Sequence, residues 1–333
     1  MSVEPLSGSL LVLLLLAIAL DLLIGDPRTL PHPVVGMGHV IAYLERRWNS
    51  GSPAARRAKG LLLTLTVVLG VYALAWGIIV MLTRLHPWLG LLAELWLLAT
   101  TLAIKGLRDA ALAVAVPLGE GDLVGARQAL SMIVGRDTRE LDEAGVVRAS
   151  VETVAENGVD GITAPLFWAL LGGAPLALAY KAINTLDSMV GYRNERHTDF
   201  GYASAKLDDL ANWIPARLTA LTLWLAAWGV PGARMQGALR GTWCDAPRHP
   251  SPNAGWPEAM VAWLLGVQLG GTNVYAGHVS QRATLGEPSE PLHVEHIRRT
   301  IQLMHAGWIG FVVLLVVLIA LVAFVPIGLH WSG

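Results

Sequence analysis

Leu61-Leu62-Leu63-Thr64-Leu65-Thr66-Val67-Val68-Leu69-Gly70-Val71-Tyr72-Ala73-Leu74-Ala75-Trp76-Gly77-Ile78-Ile79-Val80-Met81-Leu82 runs for 22 residues without a charge. As a helix it spans the roughly 30 Å of hydrocarbon in a bilayer. Ile309–Leu329 is a second uncharged run, with a centre rich in Val, Leu and Ile. Trp88–Ile104 is interrupted only by Glu94, and an acid there is expected to face other helices rather than lipid. Leu6–Leu20 continues past Asp21 through Leu22–Ile24. No Lys or Arg precedes this run and no small-x-small cleavage site follows it, so it reads as a retained helix. These runs predict membrane helices near 6–24, 61–82, 88–104 and 309–329.

The composition agrees. Of 333 residues, 54% are hydrophobic and only 15% charged, too few to coat a soluble protein of this size. Twenty-four basic residues balance 25 acidic ones, so no overall field draws nucleic acid. One cysteine, Cys244, excludes an internal disulfide and any multi-cysteine metal site. Three further apolar stretches, Gly161–Tyr180, Leu218–Ala233 and Ala259–Gly277, are broken by Gly and Pro or are short. They fit buried, broken or re-entrant helices as well as full crossings. Lys and Arg cluster in 26–60, 105–160 and 234–305, which places those segments in the cytoplasm. Crossings at both 161–180 and 218–233 would strand the basic segment 181–217 outside, so neither is expected to cross. The fold class is therefore all-α: one polytopic membrane-embedded domain over 1–333, with broken or re-entrant helices forming a cytoplasm-facing polar site within 105–305.

Polar residues concentrate in five stretches. Gly25–Val34 holds Asp26 and His32 in a loop stiffened by Pro27, Pro31 and Pro33. Val151–Gly161, if helical, stacks Glu152, Glu156 and Asp160 on one stripe beside Asn157. Like charges at that spacing repel and call for a cation, either a basic side chain or Mg²⁺, which carboxylates suit. Tyr180–Arg196 puts Lys181, Asn184 and Ser188 on one face, with Asp187 one step round and Tyr192 following. Phe200–Arg217 contributes Asp208, Asp209, Asn212 and Arg217, and Arg248–Glu258 contributes Arg248, His249, Ser251, Asn253 and Trp256. Residues 121–149 read as a charged, solvated helical stretch with a turn at Gly135–Thr138. No standard phosphate loop, dinucleotide fingerprint, nucleophile elbow or zinc-protease motif is present. The five stretches together describe a membrane enzyme that handles a phosphorylated or carboxylated substrate with Mg²⁺.

Gly25-Asp26-Pro27, Pro31-His32-Pro33-Val34, Glu156-Asn157, Ala164-Pro165-Leu166-Phe167-Trp168, Tyr180-Lys181-Ala182-Ile183-Asn184-Thr185-Leu186-Asp187-Ser188-Met189-Val190-Gly191-Tyr192, Leu207-Asp208-Asp209, Asn212-Trp213-Ile214-Pro215-Ala216-Arg217 and His249-Pro250-Ser251-Pro252-Asn253-Ala254-Gly255-Trp256-Pro257-Glu258 carry a resemblance. In order, from about residue 15 to residue 275, they resemble the signatures of the CobD/CbiB family, adenosylcobinamide-phosphate synthases of cobalamin biosynthesis. The resemblance implies an integral membrane enzyme that joins a propionate carboxylate of adenosylcobyric acid to the amine of aminopropanol phosphate, or of a related amino alcohol, with ATP as co-substrate.

Residue roles follow from the chemistry. A carboxylate needs a better leaving group before an amine can displace it, and phosphoryl transfer from ATP would supply one. Glu152, Glu156, Asp160, Asp208 and Asp209 are the expected Mg²⁺ ligands. Lys181, Arg217, Arg248 and His249 would neutralise phosphate or carboxylate. Asp187 is the candidate base for the incoming ammonium, so the catalytic set is Asp187, Lys181, Glu156 and His249. Asn157, Asn184, Ser188 and Asn253 would orient substrates, and Asp26, His32, Tyr192, Asn212, Ser251 and Trp256 complete the binding set. Expected partners are the corrinoid, the amino-alcohol phosphate and lipid, with further copies of the chain or other late corrinoid-assembly enzymes left open. The expected location is the inner membrane with the site facing the cytoplasm. Rival readings are a membrane transporter, since polar groups in broken apolar helices also mark substrate pathways, or a non-catalytic sensor on the same scaffold.

Overall fold

The structure is a computed structural model that describes residues 7–25, 32–275 and 278–324. Asp26 and the last residues of the Ile309–Leu329 run lie outside these. The described residues form α1 (Gly8–Ile24), α2 (Pro33–Trp48), α3 (Pro53–Leu85), α4 (Pro87–Ala99), α5 (Ile104–Gly119), α6 (Leu123–Ser131), α7 (Glu143–Gly158), a π-helical turn (Val159–Thr163), α8 (Ala164–Val190), α9 (Tyr202–Ala211), α10 (Trp213–Ala226), α11 (Ala238–Asp245), α12 (Gly255–Leu265), the strands β1 (Leu269–Tyr275) and β2 (His278–Leu285), and α13 (Val294–Phe324). Among them, four helical segments are long and apolar enough to cross a membrane: 53–85, 87–119, 143–190 and 294–321. The molecule is a polytopic, almost wholly helical membrane protein.

Local chemistry sets the helix ends. Ser52 caps α3 by accepting from the Ala55 amide, with Pro53 in the first turn. Pro87 then ends α3 and starts α4. The outward face of α3 is exposed at Leu61, Leu62, Leu65, Leu69, Leu74 and Trp76, as a lipid-facing helix requires. Between α4 and α5 the helix breaks, and Asp21 from α1 closes the break. Its Oδ2 accepts from the Ile104 and Lys105 amides at 2.9 and 3.2 Å. Lys105 returns its ammonium to the Leu23 and Ile24 carbonyls at the end of α1. An acid and a base thereby satisfy two helix ends at once.

The segment 143–190 does not run straight. Tyr180 Oη reaches Asp160 Oδ1 at 3.5 Å, although a straight helix would separate residues 20 positions apart by about 30 Å. The chain doubles back at Gly172–Gly173, where Gly173 takes φ +65°. There Glu94 of α4, 5% exposed, accepts from the Ala174 amide and caps the returning arm. Glu94 faces protein, and 161–180 folds back as a helical hairpin rather than running as one straight helix.

Two expectations need correction. Ala259–Gly277, expected as a buried, broken or re-entrant helix or a crossing, is helical only to Leu265, where α12 ends and an antiparallel hairpin follows, pairing Gly271 with Arg282. Gly270 and Gly271 both take φ +79°, which forms the irregularity at Leu269/Gly271. Arg148 of α7 fastens the hairpin by donating to the Gly270 and Thr272 carbonyls at 2.7 and 2.9 Å. Residues 121–149 are not solvated throughout either, because α7 buries Val146, Val147 and Ala149.

Candidate active site

The end of α7, the π turn, the end of α8, the 191–201 loop, α9, the start of α10, the 249–254 loop and β2 enclose one cavity of about 570 Å³. Its lining includes Glu156, Asp160, Asp187, Tyr192, Asp208, Asp209, Asn212, His249, Ser251 and Asn253. Ten residues expected at a site, from four sequence-distant segments, thus share one space.

The π turn aims Asp160. An inserted residue widens the helix there and turns the following side chains. Asp160 Oδ2 accepts from Asn184 Nδ2 at 3.1 Å, while Lys181 Nζ donates to the Asp160 carbonyl at 3.3 Å. Tyr180, 1% exposed, donates to Asn212 Oδ1 at 2.9 Å, and Asn212 Nδ2 donates to Asp208 Oδ2 at 3.1 Å. One hydrogen-bonded chain therefore orients both acids. Asp208 Oδ1 is buried with no hydrogen-bond partner. Burial and the nearby charges of Asp160 and Asp187 push the Asp208 carboxyl well above the usual carboxylate range. Asp209 differs, being paired with Lys206 at 2.7 Å, and its carbonyl accepts from Asn253 at 2.8 Å.

His249 stands on the opposite wall. Its Nδ1 accepts from the Ser251 amide at 3.0 Å, which leaves Nε2 facing Glu258 Oε1 at 3.7 Å. Burial lowers the His249 pKa, and burial beside Glu152 and Glu156 raises that of Glu258 well above normal. Both shifts favour the uncharged forms of this pair.

Other expected residues lie elsewhere. Glu152 belongs to the framework: it is buried in an ion pair with Arg136 and accepts from the Gly270 amide at 2.8 Å, holding the hairpin. Asn157 donates to the Thr153 carbonyl of its own helix, and exposed Ser188 donates to that of Thr185. Lys181 and Asn184 do not line the cavity but support Asp160 from behind it. Arg217 is stacked between the Trp213 and Trp256 rings, at 4.3 and 4.7 Å from their centroids. Arg248 is exposed and pairs with Asp245 at 3.0 Å. His32 caps α2 by accepting from the Val34 amide. Asp26 lies outside the described residues.

Arg57, Arg193, His197, Lys206 and Arg282 also line the cavity and were not singled out as site residues. Arg57 pairs with Asp199 at 2.8 Å and covers the Tyr202 ring at 5.3 Å. In the sequence Arg57 served only as an orientation signal. The Gly191–Arg196 donors adjoining the Asp187 helix were the available clue to Arg193. The cavity thus has an acidic floor and a partly basic rim, an arrangement suited to an anionic substrate with a divalent cation.

Known proteins place the chain in a family. The family model described as CobD/Cbib protein matches residues 14–304. The chain belongs to the CobD/CbiB family. It is 51% identical over 289 residues to "Cobalamin biosynthesis protein CobD" of Halalkalibacterium halodurans, covering 87% of this chain and 90% of that one. It is 50% identical to the Klebsiella pneumoniae protein of the same name, with 86% and 90% covered. "Cobalamin biosynthesis protein CbiB" of Salmonella typhi is 49% identical over 295 residues, with 87% and 91% covered. No solved structure matches. CobD/CbiB membership supports a role in cobalamin biosynthesis, and the cavity is lined from four of the five polar stretches.

Proposed function

We propose that this chain is an amide-forming synthase. It condenses a carboxylate of adenosylcobyric acid with the amine of aminopropanol phosphate, or a related amino alcohol, to give adenosylcobinamide phosphate. The observation that carries the proposal is the acid floor of Glu156, Asp160, Asp187 and Asp208 facing the cations Arg57, Arg193, Lys206 and Arg282 across one cavity. A cavity of about 570 Å³ suits a carboxylate arm and a small phosphorylated amine, with the macrocycle remaining at the mouth.

The floor suits Mg²⁺. Among the described residues, no three His, Cys, Asp or Glu side chains form a metal site by themselves. Asp208 and Asp160 would therefore hold the ion together with water and substrate phosphate, the usual manner for Mg²⁺. The buried, unpartnered Asp208 Oδ1 is the atom that fits it best. Bound there, the ion would neutralise phosphate charge. The rim cations would hold the phosphates, and the carboxylate oxygen would take the γ-phosphoryl group of ATP as ADP departs. Asp187 accepts the ammonium proton, the amine attacks the acyl carbon, and phosphate leaves as the amide forms. Inner-membrane location with the cavity open to the cytoplasm, where ATP is available, belongs to the same reading.

Purified protein given cobyric acid, amino-alcohol phosphate, Mg²⁺ and ATP should yield the condensed corrinoid by mass spectrometry, with ADP released in equal amount. Uptake of corrinoid into vesicles without any amide product would instead favour a transporter. The Asp187→Asn variant should retain its fold and lose condensation; undiminished product would remove Asp187 from the mechanism.

A further inference from the structure

We infer that α10 and the turn after it form a half-inserted, lipid-contacting element, with Trp228 at its tip, that enters and leaves the bilayer on one face. α10 runs parallel to α13. Leu223 packs on Gly307, and Thr222 and Ala226 pack on Gly310. By residue 232 the chain has returned, because Arg299 of α13 donates to the Gly232 carbonyl. Arg299 precedes Gly310 by 11 positions, about 16 Å along α13, so the chain and the Arg299 side chain together span that distance on the return. The Arg234 amide then donates to the Leu264 carbonyl at 2.8 Å, fixing the returned chain to α12.

The surface of this element identifies what covers it. Leu218–Ala233 contains no charge. One face, with Ala220 and Leu223, is buried, while Leu225 is 50% and Trp228 83% exposed. Beside it, α13 exposes Ile309 at 49% and Val313 at 57% over the length that crosses the membrane. The two apolar surfaces are continuous, so the lipid around α13 also covers α10. The 3₁₀ turn Ala227–Gly229 and the Val230 amide, which donates to the Ala227 carbonyl, keep backbone groups bonded at the tip. α10 begins directly after Asn212, which links to Asp208, and its Ala216 lines the cavity. The lipid-held helix therefore also contributes to the cavity wall.

The test uses the full chain in nanodiscs, with Cys244→Ser as background and spin labels on Leu225→Cys, Trp228→Cys, Val317→Cys or Arg234→Cys. At 225 and 228 the ratio of oxygen to nickel-chelate accessibility should shift to the value found at 317. At 234 it should match water. An impermeant maleimide applied to sealed vesicles should reach 234 and Glu195→Cys from the same side. Nickel accessibility at 228 would overturn the inference, as would protection from both reagents, which would indicate a protein partner. Labelling of 195 and 234 from opposite sides would show a full crossing and also overturn it. If Trp228→Cys fails to fold, Leu225→Cys carries the same decision.

Discussion

Asp21 and Glu94 in the first apolar helices can be set against Asp160 and Asp208 at the cavity. All four are acids within or beside apolar segments. The first two are consumed: Asp21 accepts from the amides that start α5, and Glu94 from the amide that restarts α8. Glu152, locked to Arg136 and the Gly270 amide, belongs with them. Asp160 and Asp208 are held by side-chain amides and line the cavity. An acid in an apolar setting marks chemistry only when backbone donors and cations have not already claimed it.

The strongest challenge to this division is Glu152→Ala. Removing the buried carboxylate from Arg136 and from the Gly270 amide should cost about 3–5 kcal/mol of stability, read as a large drop in detergent melting temperature. Asp208→Asn should act in the opposite sense. Product formation should fall by about 10²–10³, as on loss of a preorganised charge, while the metal-free protein becomes more stable. Because the Asp208 pKa is raised on folding, the folded state binds its proton more readily than the unfolded state does. Its contribution to stability is therefore lost as pH rises above the ordinary carboxylate value. The gain from Asp208→Asn should accordingly be largest at neutral pH and fade on acidification; a pH-independent gain would refute the assignment.

Glu94→Ala should destabilise by about 1–3 kcal/mol by stranding a buried amide, with activity falling only in step with the folded fraction. Gly173→Ala tests the same corner from the other side. Its φ of +65° and a Cβ 2.7 Å from Glu94 Oε1 predict a loss of about 1–2 kcal/mol. Arg248→Ala should change stability by less than about 1 kcal/mol and leave condensation intact, since its ion pair with Asp245 is exposed.

The sequence made the membrane helices legible because each is declared by a local, uninterrupted property, as in Leu61–Leu82. It also pointed to Asp208 with Asn212, four apart on a helix, and to Tyr180–Tyr192 as a polar face. The role of Glu152 was not legible: on a helical stripe it is equivalent to Glu156, and only the long-range contacts with Arg136 and Gly270 separate them. Arg282 was hidden because Ala259–Gly277 reads as one apolar stretch until Gly266 and the Gly270–Gly271 pair break it. The fold-back at Gly172–Gly173 was visible as a weakness in the helix, but its direction depends on Glu94, some 80 residues earlier.

The π turn at Val159–Thr163 makes the chain more sensitive to a lost residue than to a changed one. Deleting a single position there would let the segment relax into an ordinary α-helix and rotate everything after it by about 100° relative to α7. Asp160 would swing away from Asn184 and Tyr180, and every side chain on α8 would meet the wrong neighbour. Over these five residues the spacing is itself a functional element, so variation here should be confined to substitutions.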